Sequence, residues 1–310
     1  MRFLLGAGGL VAAPFALRAY ARNVEPRILV TEHVAVQSSR IPAALDGVRI
    51  GLLSDFHLGN GVDEARIEQS VAQLNALKPD IALLGGDYVH RWGLGAKAAH
   101  ALRDLYAPLG VFAVLGNHDY WNNPRQLSQT MSAEFAQAKF PFKLMRNESY
   151  QLNINNTALH IVGVDNVTVN RHDFAKAVQG VPKNEAAVLL VHEPDIADEA
   201  AAAHPFALQV SGHSHGGQVR IPFVHPWWTP TFARKYIAGL FTINEMQLYV
   251  TRGIGMSWMP MRFLCPPEVT LMTLRSLALA TKDHEEKLQV NHLRQSLCNF
   301  LGHKNAQKSL

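Results

Sequence analysis

Residues 49–57 read Arg-Ile-Gly-Leu-Leu-Ser-Asp-Phe-His, an apolar run of strand character that ends in two polar side chains, Asp55 and His57. The same grammar recurs after it. Residues 63–77 carry apolar positions at helical spacing (Ile67, Val71, Leu74) until Pro79 stops them. Residues 80–84 form the next strand candidate, with Gly85-Gly86 as the turn and Asp87 after it. A helix-like stretch over residues 96–106 leads to a strand over 111–115, which ends in Gly116-Asn117-His118-Asp119. Two later units follow this plan: residues 187–191 end at His192, and residues 206–210 end at Ser211-Gly212-His213-Ser214-His215. Repeated strand, polar tip and helix predict an α/β domain. Residues 142–164 hold shorter strand candidates with Asn-rich connections, as in hairpins of a second sheet.

Bulk properties narrow the class. The chain has 310 residues, 48% of them apolar and 17% charged, which fits a globular protein and excludes long disorder. A net charge of +4 leans toward phosphates or acidic lipid headgroups and is too small to indicate a nucleic-acid surface. Cys265 and Cys298 are too few and too far apart for a disulfide framework or a zinc module; two buried thiols are the expected reading and a single disulfide the alternative.

Three segments fall outside the strand and helix alternation. Residues 1–22 contain an apolar stretch (3–17) behind Arg2 and a small-residue pattern at Ala19-Tyr20-Ala21, the layout of a signal peptide or short anchor. The stretch is short for a membrane span, and Arg18 and Arg22 beyond it oppose simple export, so the side of the membrane stays open. An apolar helix packed on the domain is the alternative. Residues 23–276 form the main domain. Residues 277–310 hold Leu288, Val290, Leu293, Leu297 and Phe300 near helical spacing, as in an amphipathic helix followed by a tail. Within the domain, residues 221–241 are rich in proline and aromatic side chains, including Trp227 and Trp228, which forbids regular structure. Their apolar groups either fold inward or face a membrane or lipid.

The chemistry-bearing residues sit where the strands end. Asp55, His57, Asp87, Asn117, His192, His213 and His215 each have an ordinary reading as a cap or turn residue when taken alone. Strand ends converge at one edge of a sheet, however, and together these side chains supply carboxylate, imidazole and amide donors without a thiolate. That set suits divalent manganese, iron or zinc. Asp87 is the natural bridge, because one carboxylate can serve two cations about 3.5–4 Å apart.

The five blocks, in this order, resemble the calcineurin-like metallophosphoesterase superfamily, over residues 49–274. The resemblance implies a two-sheet β-sandwich flanked by helices, a four-layer αββα fold. It implies one divalent ion on Asp55, His57, Asp87 and His215, and a second on Asp87, Asn117, His192 and His213, with manganese expected first. His118 matches the family's histidine beside the phosphate, and Asp119 the carboxylate that orients it. A water held between two cations attacks phosphorus in line while imidazole serves the leaving oxygen. Asp119 is the expected group to hold up the His118 pKa.

The Gly212-His213-Ser214-His215-Gly216-Gly217-Gln218 run, residues 249–255 and Pro266-Pro267-Glu268 resemble a bacterial branch of membrane-associated phosphodiesterases and lipid A pyrophosphatases acting on UDP-2,3-diacylglucosamine. This implies a lipid-linked phosphate ester or pyrophosphate as substrate and association with the bacterial inner membrane. A phosphomonoesterase or protein phosphatase is the alternative on the same scaffold, and a non-catalytic metal-bound scaffold a remote one. Arg220 and Arg252 are candidate phosphate contacts. One departure stands out: Tyr88-Val89-His90 follows the bridging Asp where many relatives carry a further acidic residue.

Overall fold

Strands whose side chains alternate between two apolar faces need cover on both, and the chain meets this with two stacked sheets. The computed structural model describes residues 14–279. Residues 1–13, the expected amphipathic helix at 282–301 and Cys298 lie outside the described residues. In chain order the elements are α1 (residues 14–23), β1 (Val30–Ser38), β2 (Arg49–Leu53), α2 (Glu64–Ala76), β3 (Ile81–Leu84), α3 (Gly95–Ala101), β4 (Val111–Ala113), α4 (Asn117–Trp121), α5 (Pro124–Glu134) and β5 (Phe142–Leu144). They continue with β6 (Glu148–Ile154), β7 (Thr157–Gly163), α6 (Phe174–Ala177), β8 (Ala186–Leu190), α7 (Ala197–Ala203), β9 (Leu208–Ser211), β10 (Gly239–Ile243), β11 (Met246–Val250) and β12 (Glu268–Ser276).

The first sheet has the order β1-β12-β2-β3-β4-β5 and the second β10-β11-β9-β8-β7-β6. Both are mixed: β2 through β5 run parallel while β12 pairs antiparallel with β2, and β7, β8, β9 and β11 run parallel between antiparallel edge strands. Side-chain alternation sorts the core into three layers. Ile50, Leu52, Ile81, Leu83, Phe112 and Val114 meet Leu159, Ile161, Val188, Leu190, Leu208 and Val210 between the sheets. Leu53, Ala82, Leu84 and Ala113 face the other way, onto Ile67, Val71 and Leu74 of α2, Ala98 of α3 and Leu127 of α5. Val162, Leu189 and Leu248 point outward onto Phe174 of α6 and Ala197 and Ala200 of α7. The result is the four-layer αββα sandwich.

Residues 14–23 pack as well as protrude. The carbonyl of Ala21 accepts the Arg262 amide at 2.8 Å, and the Tyr20 ring meets Phe263 edge-on. Buried Glu25, just beyond, accepts the amides of Leu264 and Cys265. Phe15 and Leu17 are exposed. No helix among the described residues is long and apolar enough to cross a membrane. Arg262 is itself fully buried, its guanidinium donating to the carbonyls of Arg252, Gly253, Gly255 and Cys265, so one side chain fixes the 252–265 loop.

Leu190 lies at the centre of the inter-sheet core, fully buried and two residues before His192. Leu190→Ala is expected to cost about 2–5 kcal/mol through lost burial and a residual cavity, read as a lower urea midpoint with an unchanged slope.

Candidate metal centre

Five of the seven expected ligands hold left-handed backbone: Asp55 (φ 54°), His57 (48°), Asp87 (54°), His213 (66°) and His215 (51°). Asp and His tolerate this region better than branched residues do, and it still carries strain that surrounding bonds must hold. The loops after β2 and β3 supply them by pairing with each other. The Asp55 amide donates to the Gly86 carbonyl and the His57 amide to that of Asp87, each at 2.9 Å. The Asp55 carboxylate in turn accepts the His213 amide at 2.9 Å, joining the first sheet to the second. Gly86 and Gly116 are required here: a Cβ on Gly86 would lie 2.5 Å from the Gly116 nitrogen, and one on Gly116 would lie 2.1 Å from Asp87 Oδ1.

The donors form two buried groups, Asp55 with His57 and His215, and Asp87 with His192 and His213, each with its ligand atoms within 4.8 Å of one another. Asp87 Oδ2 joins the groups, 3.3 Å from His57 Nε2 and 3.3 Å from His192 Nε2. His57 Nε2 lies 2.9 Å from His215 Nε2, and His192 Nε2 lies 3.1 Å from His213 Nδ1. Ring nitrogens this close share either a proton or a cation. Asp55 Oδ2 and Asn117 Oδ1 are buried without any hydrogen bond, so both oxygens are left for a cation. The distal edges are tied down: His192 Nδ1 meets the Gly85 carbonyl at 2.7 Å, and His213 Nε2 meets the Thr231 carbonyl at 2.9 Å. Burial, followed by the adjacent His57 ring for His215 and the His192 ring for His213, lowers both imidazoles' pKa and keeps them neutral. Against the upward push of burial, the imidazoles of His192, His118 and His57 hold the Asp87 carboxyl well below its ordinary value. His192 departs from the neutral His213 and His215: against the downward push of burial, the Asp87 carboxylate holds its pKa well above the ordinary value, so an incoming ion takes the place of that proton, and the residues fit two divalent ions.

His118 lines the cavity beside these groups, its amide donating to Asp87 Oδ1 at 2.8 Å. The expected pairing of its ring with Asp119 is not formed. The Asp119 carboxylate accepts the amides of Gly116 and Asp87 on one oxygen and that of Tyr88 on the other, at 2.8–2.9 Å, and so clamps the two loops together. Nor is the His118 pKa held up: burial, with the His57 and His90 imidazoles adding to it against Asp87, pushes it down to about 4. The ring is neutral at pH 7 and offers an N–H. The candidate phosphate contacts are also placed differently. Arg252 pairs with Glu32 and Glu268 at 2.7 Å, and Arg220 donates to the Gly216 carbonyl, so neither lines the cavity.

The cavity has a volume of about 400 Å³ and is walled by Trp121, Trp228, Pro230, Ser257 and Trp258 as well as the polar centre. All five tryptophans of the chain gather at its mouth: Trp227 and Trp228 both pack on Trp258, and the Trp92 indole donates to the Trp121 carbonyl. Four of them stay largely exposed, Trp92 at 72%, Trp121 at 54%, Trp227 at 63% and Trp258 at 56%. The 221–241 segment divides the same way. Ala233 and Tyr236 are buried, Ile221, Phe223, Val224 and Trp227 are exposed, and its last three residues belong to β10. Asp195, three residues after His192, anchors it by accepting the amides of Arg234, Lys235 and Tyr236. Sequence reasoning missed Thr231, Asp195 and the part taken by Trp92, Trp121 and Trp258. The usable signal was that Trp92 and Trp121 closely follow the Asp87 and Asp119 clusters in a chain with few tryptophans. His90, noted only as a departure, stands in the cavity wall.

The sequence profile of the calcineurin-like phosphoesterase family matches residues 48–217, just over half of the chain. The uncharacterized metallophosphoesterase YkuE of Bacillus subtilis is 32% identical over 284 residues, covering 89% of this chain and 97% of that one. The UDP-2,3-diacylglucosamine pyrophosphatase LpxG of Chlamydia trachomatis is 30% identical, covering 85% and 94%. The phosphodiesterase YaeI of Escherichia coli is 30% identical, covering 73% and 82%.

Two outcomes are expected from this geometry. Chelation should lower the melting temperature and added manganese or zinc restore it, because an ion bound only by the folded chain stabilises it. Asp119→Asn should weaken metal affinity about 10–100-fold, as loss of a support to a ligand does. Competition against a chromogenic chelator measures it, and activity should return at saturating metal.

Proposed function

The chain belongs to the calcineurin-like phosphoesterase family, and from that premise we propose that it hydrolyses a phosphodiester or pyrophosphate bond in a lipid-linked substrate of the UDP-2,3-diacylglucosamine kind. It is a metal-dependent phosphoesterase. The observation that carries the finer reading is the group of exposed tryptophans around the cavity over the polar centre. An indole has an apolar body and a polar N–H, which suits the boundary between headgroups and acyl chains. The exposed Phe223, Ile221 and Val224 beside it extend that apolar rim. LpxG, the relative named for this diacyl sugar nucleotide, supports the same substrate class.

In this reading one divalent ion is held by Asp55, His57, Asp87 and His215, and a second by Asp87, Asn117, His192 and His213. Manganese is the first choice, with iron or zinc compatible with the same donors. Bound there, the two ions would supply a water acidic enough to attack phosphorus and positive charge for the phosphoryl oxygens. The protein's own groups do the rest. His118, neutral in its buried setting, donates an N–H toward the phosphoryl or leaving oxygen. Asp119 holds the amides of Asp87 and Tyr88 so that the Asp87 carboxylate stays between the two imidazole groups. The tryptophan wall excludes water and receives the apolar part of the substrate, and the protein works at the surface of the inner membrane.

Three substrates separate the readings: a water-soluble aryl phosphodiester, the matching monoester and a UDP-linked diacyl sugar in mixed micelles, each with manganese-loaded protein. The diacyl sugar nucleotide should be cleaved with the highest kcat/KM, and Asp87→Asn should abolish turnover of all three. Preference for the monoester would instead indicate a phosphomonoesterase. Trp227→Ala with Trp258→Ala should raise KM for the micellar substrate more than tenfold and leave the soluble diester within about threefold, since each exposed aromatic is worth on the order of 1 kcal/mol at an interface.

A further inference from the structure

His90 stands where the sequence departs from the acidic residue expected after the bridging Asp, and its surroundings define a specific task. Its Nδ1 lies 3.3 Å from His57 Nδ1. The other nitrogen of His57 faces the metal centre, 2.9 Å from His215 Nε2 and 3.3 Å from Asp87 Oδ2. A neutral imidazole that offers the Nε2 lone pair to a cation carries its proton on Nδ1. The atom facing that proton is His90 Nδ1, which must therefore present a lone pair and leave the His90 proton on Nε2. The His90 ring is fixed for this by stacking on His118, with centroids 5.0 Å apart at 24°, in the wall of the cavity.

We propose that His90 is a positioning residue: its Nδ1 accepts the Nδ1–H of His57, and this bond keeps His57 Nε2 turned to the metal centre. The inference rests on the metal-dependent phosphoesterase reading and adds a specificity consequence to it. Ligating histidines commonly donate their second N–H to a carboxylate or a carbonyl. A carboxylate at position 90 would give His57 the same support and would also set a negative charge in the wall that an anionic phosphate ester must approach. The imidazole gives the support without the charge. His57, His90 and His118 are also close enough to suggest a third cation site. A cation between the two Nδ1 atoms would have to strip His57 of its last ring proton, and the hydrogen bond requires no such step.

The test uses the full chain loaded with zinc and reads binding before turnover. Wild type should hold two zinc ions. His90→Phe, which keeps a ring against His118 and lacks the acceptor, should weaken zinc affinity in chelator competition about 10–100-fold. His90→Asn, which restores an acceptor oxygen, should recover affinity to within about threefold of wild type. His90→Asp should bind zinc at least as tightly as wild type yet raise KM for the soluble diester severalfold, with kcat little changed. The proposal is overturned if His90→Phe binds zinc like wild type. It is equally overturned if wild type holds three zinc ions and His90→Phe two, since His90 would then be a ligand itself. A wild-type chain that binds no zinc or manganese would remove the underlying metal reading, whatever the variants do.

Discussion

The carboxylate of Asp87 is buried at the junction of two imidazole groups, and the local structure can be read as the means of keeping it there. A carboxylate taken out of water costs several kcal/mol unless charge and hydrogen bonds replace what the solvent gave. One oxygen takes the His118 amide and the other lies between His57 and His192. Because this oxygen is wanted on two sides, the backbone of Asp87 must turn left-handed, and the neighbouring chain must come so close that positions 86 and 116 admit only glycine. Asp119 completes the arrangement by collecting the amides that such a turn leaves without strand partners.

The sandwich makes this junction available. Asp55, Asp87 and Asn117 follow strands of the first sheet, while His192, His213 and His215 follow strands of the second. The polar centre therefore lies where the two sheets open at one end, and each of its two buried donor groups draws side chains from both. Binding there would add to the apolar contacts and the few hydrogen bonds, such as those of His213 with Asp55 and His192 with Gly85, that already join the layers, so the free energy of ion binding is also free energy of sheet association.

Much of this was legible in the residues. Continuous apolar runs along residues 49–53, 80–84 and 187–191 marked strands buried on both faces, and the polar tips named the converging side chains, because strand ends and metal chemistry both leave local signatures. What escaped reading was set by contacts distant in sequence. Asp119 beside His118 suggests a carboxylate and imidazole pair, yet in space four backbone amides reach its oxygens first. Arg252 stood in a motif-like run, but Glu32 and Glu268, far away along the chain, claim its guanidinium. The tryptophans at 92, 121, 227, 228 and 258 share no segment, and only the fold assembles them. Helix ends were also misjudged: the stretch expected over 96–106 ends as a helix at Ala101, and the chain turns before Pro108.

The bond from His213 Nε2 to the carbonyl of Thr231 ties the irregular aromatic segment to the centre it overhangs. Thr231 lies between Trp228 and the Asp195-anchored stretch that begins at Arg234, so the span bearing Trp227 and Trp228 is held at one end by the loop after β8 and along its middle by the ring of His213. On the proposed function, occupancy of the centre and order in the rim would share a coupling free energy that acts equally in both directions. A surface that gripped the tryptophans would tighten the hold on the ions, and a chain stripped of its ions would be a poorer partner for that surface. Attachment and catalytic competence would then be two readings of one equilibrium.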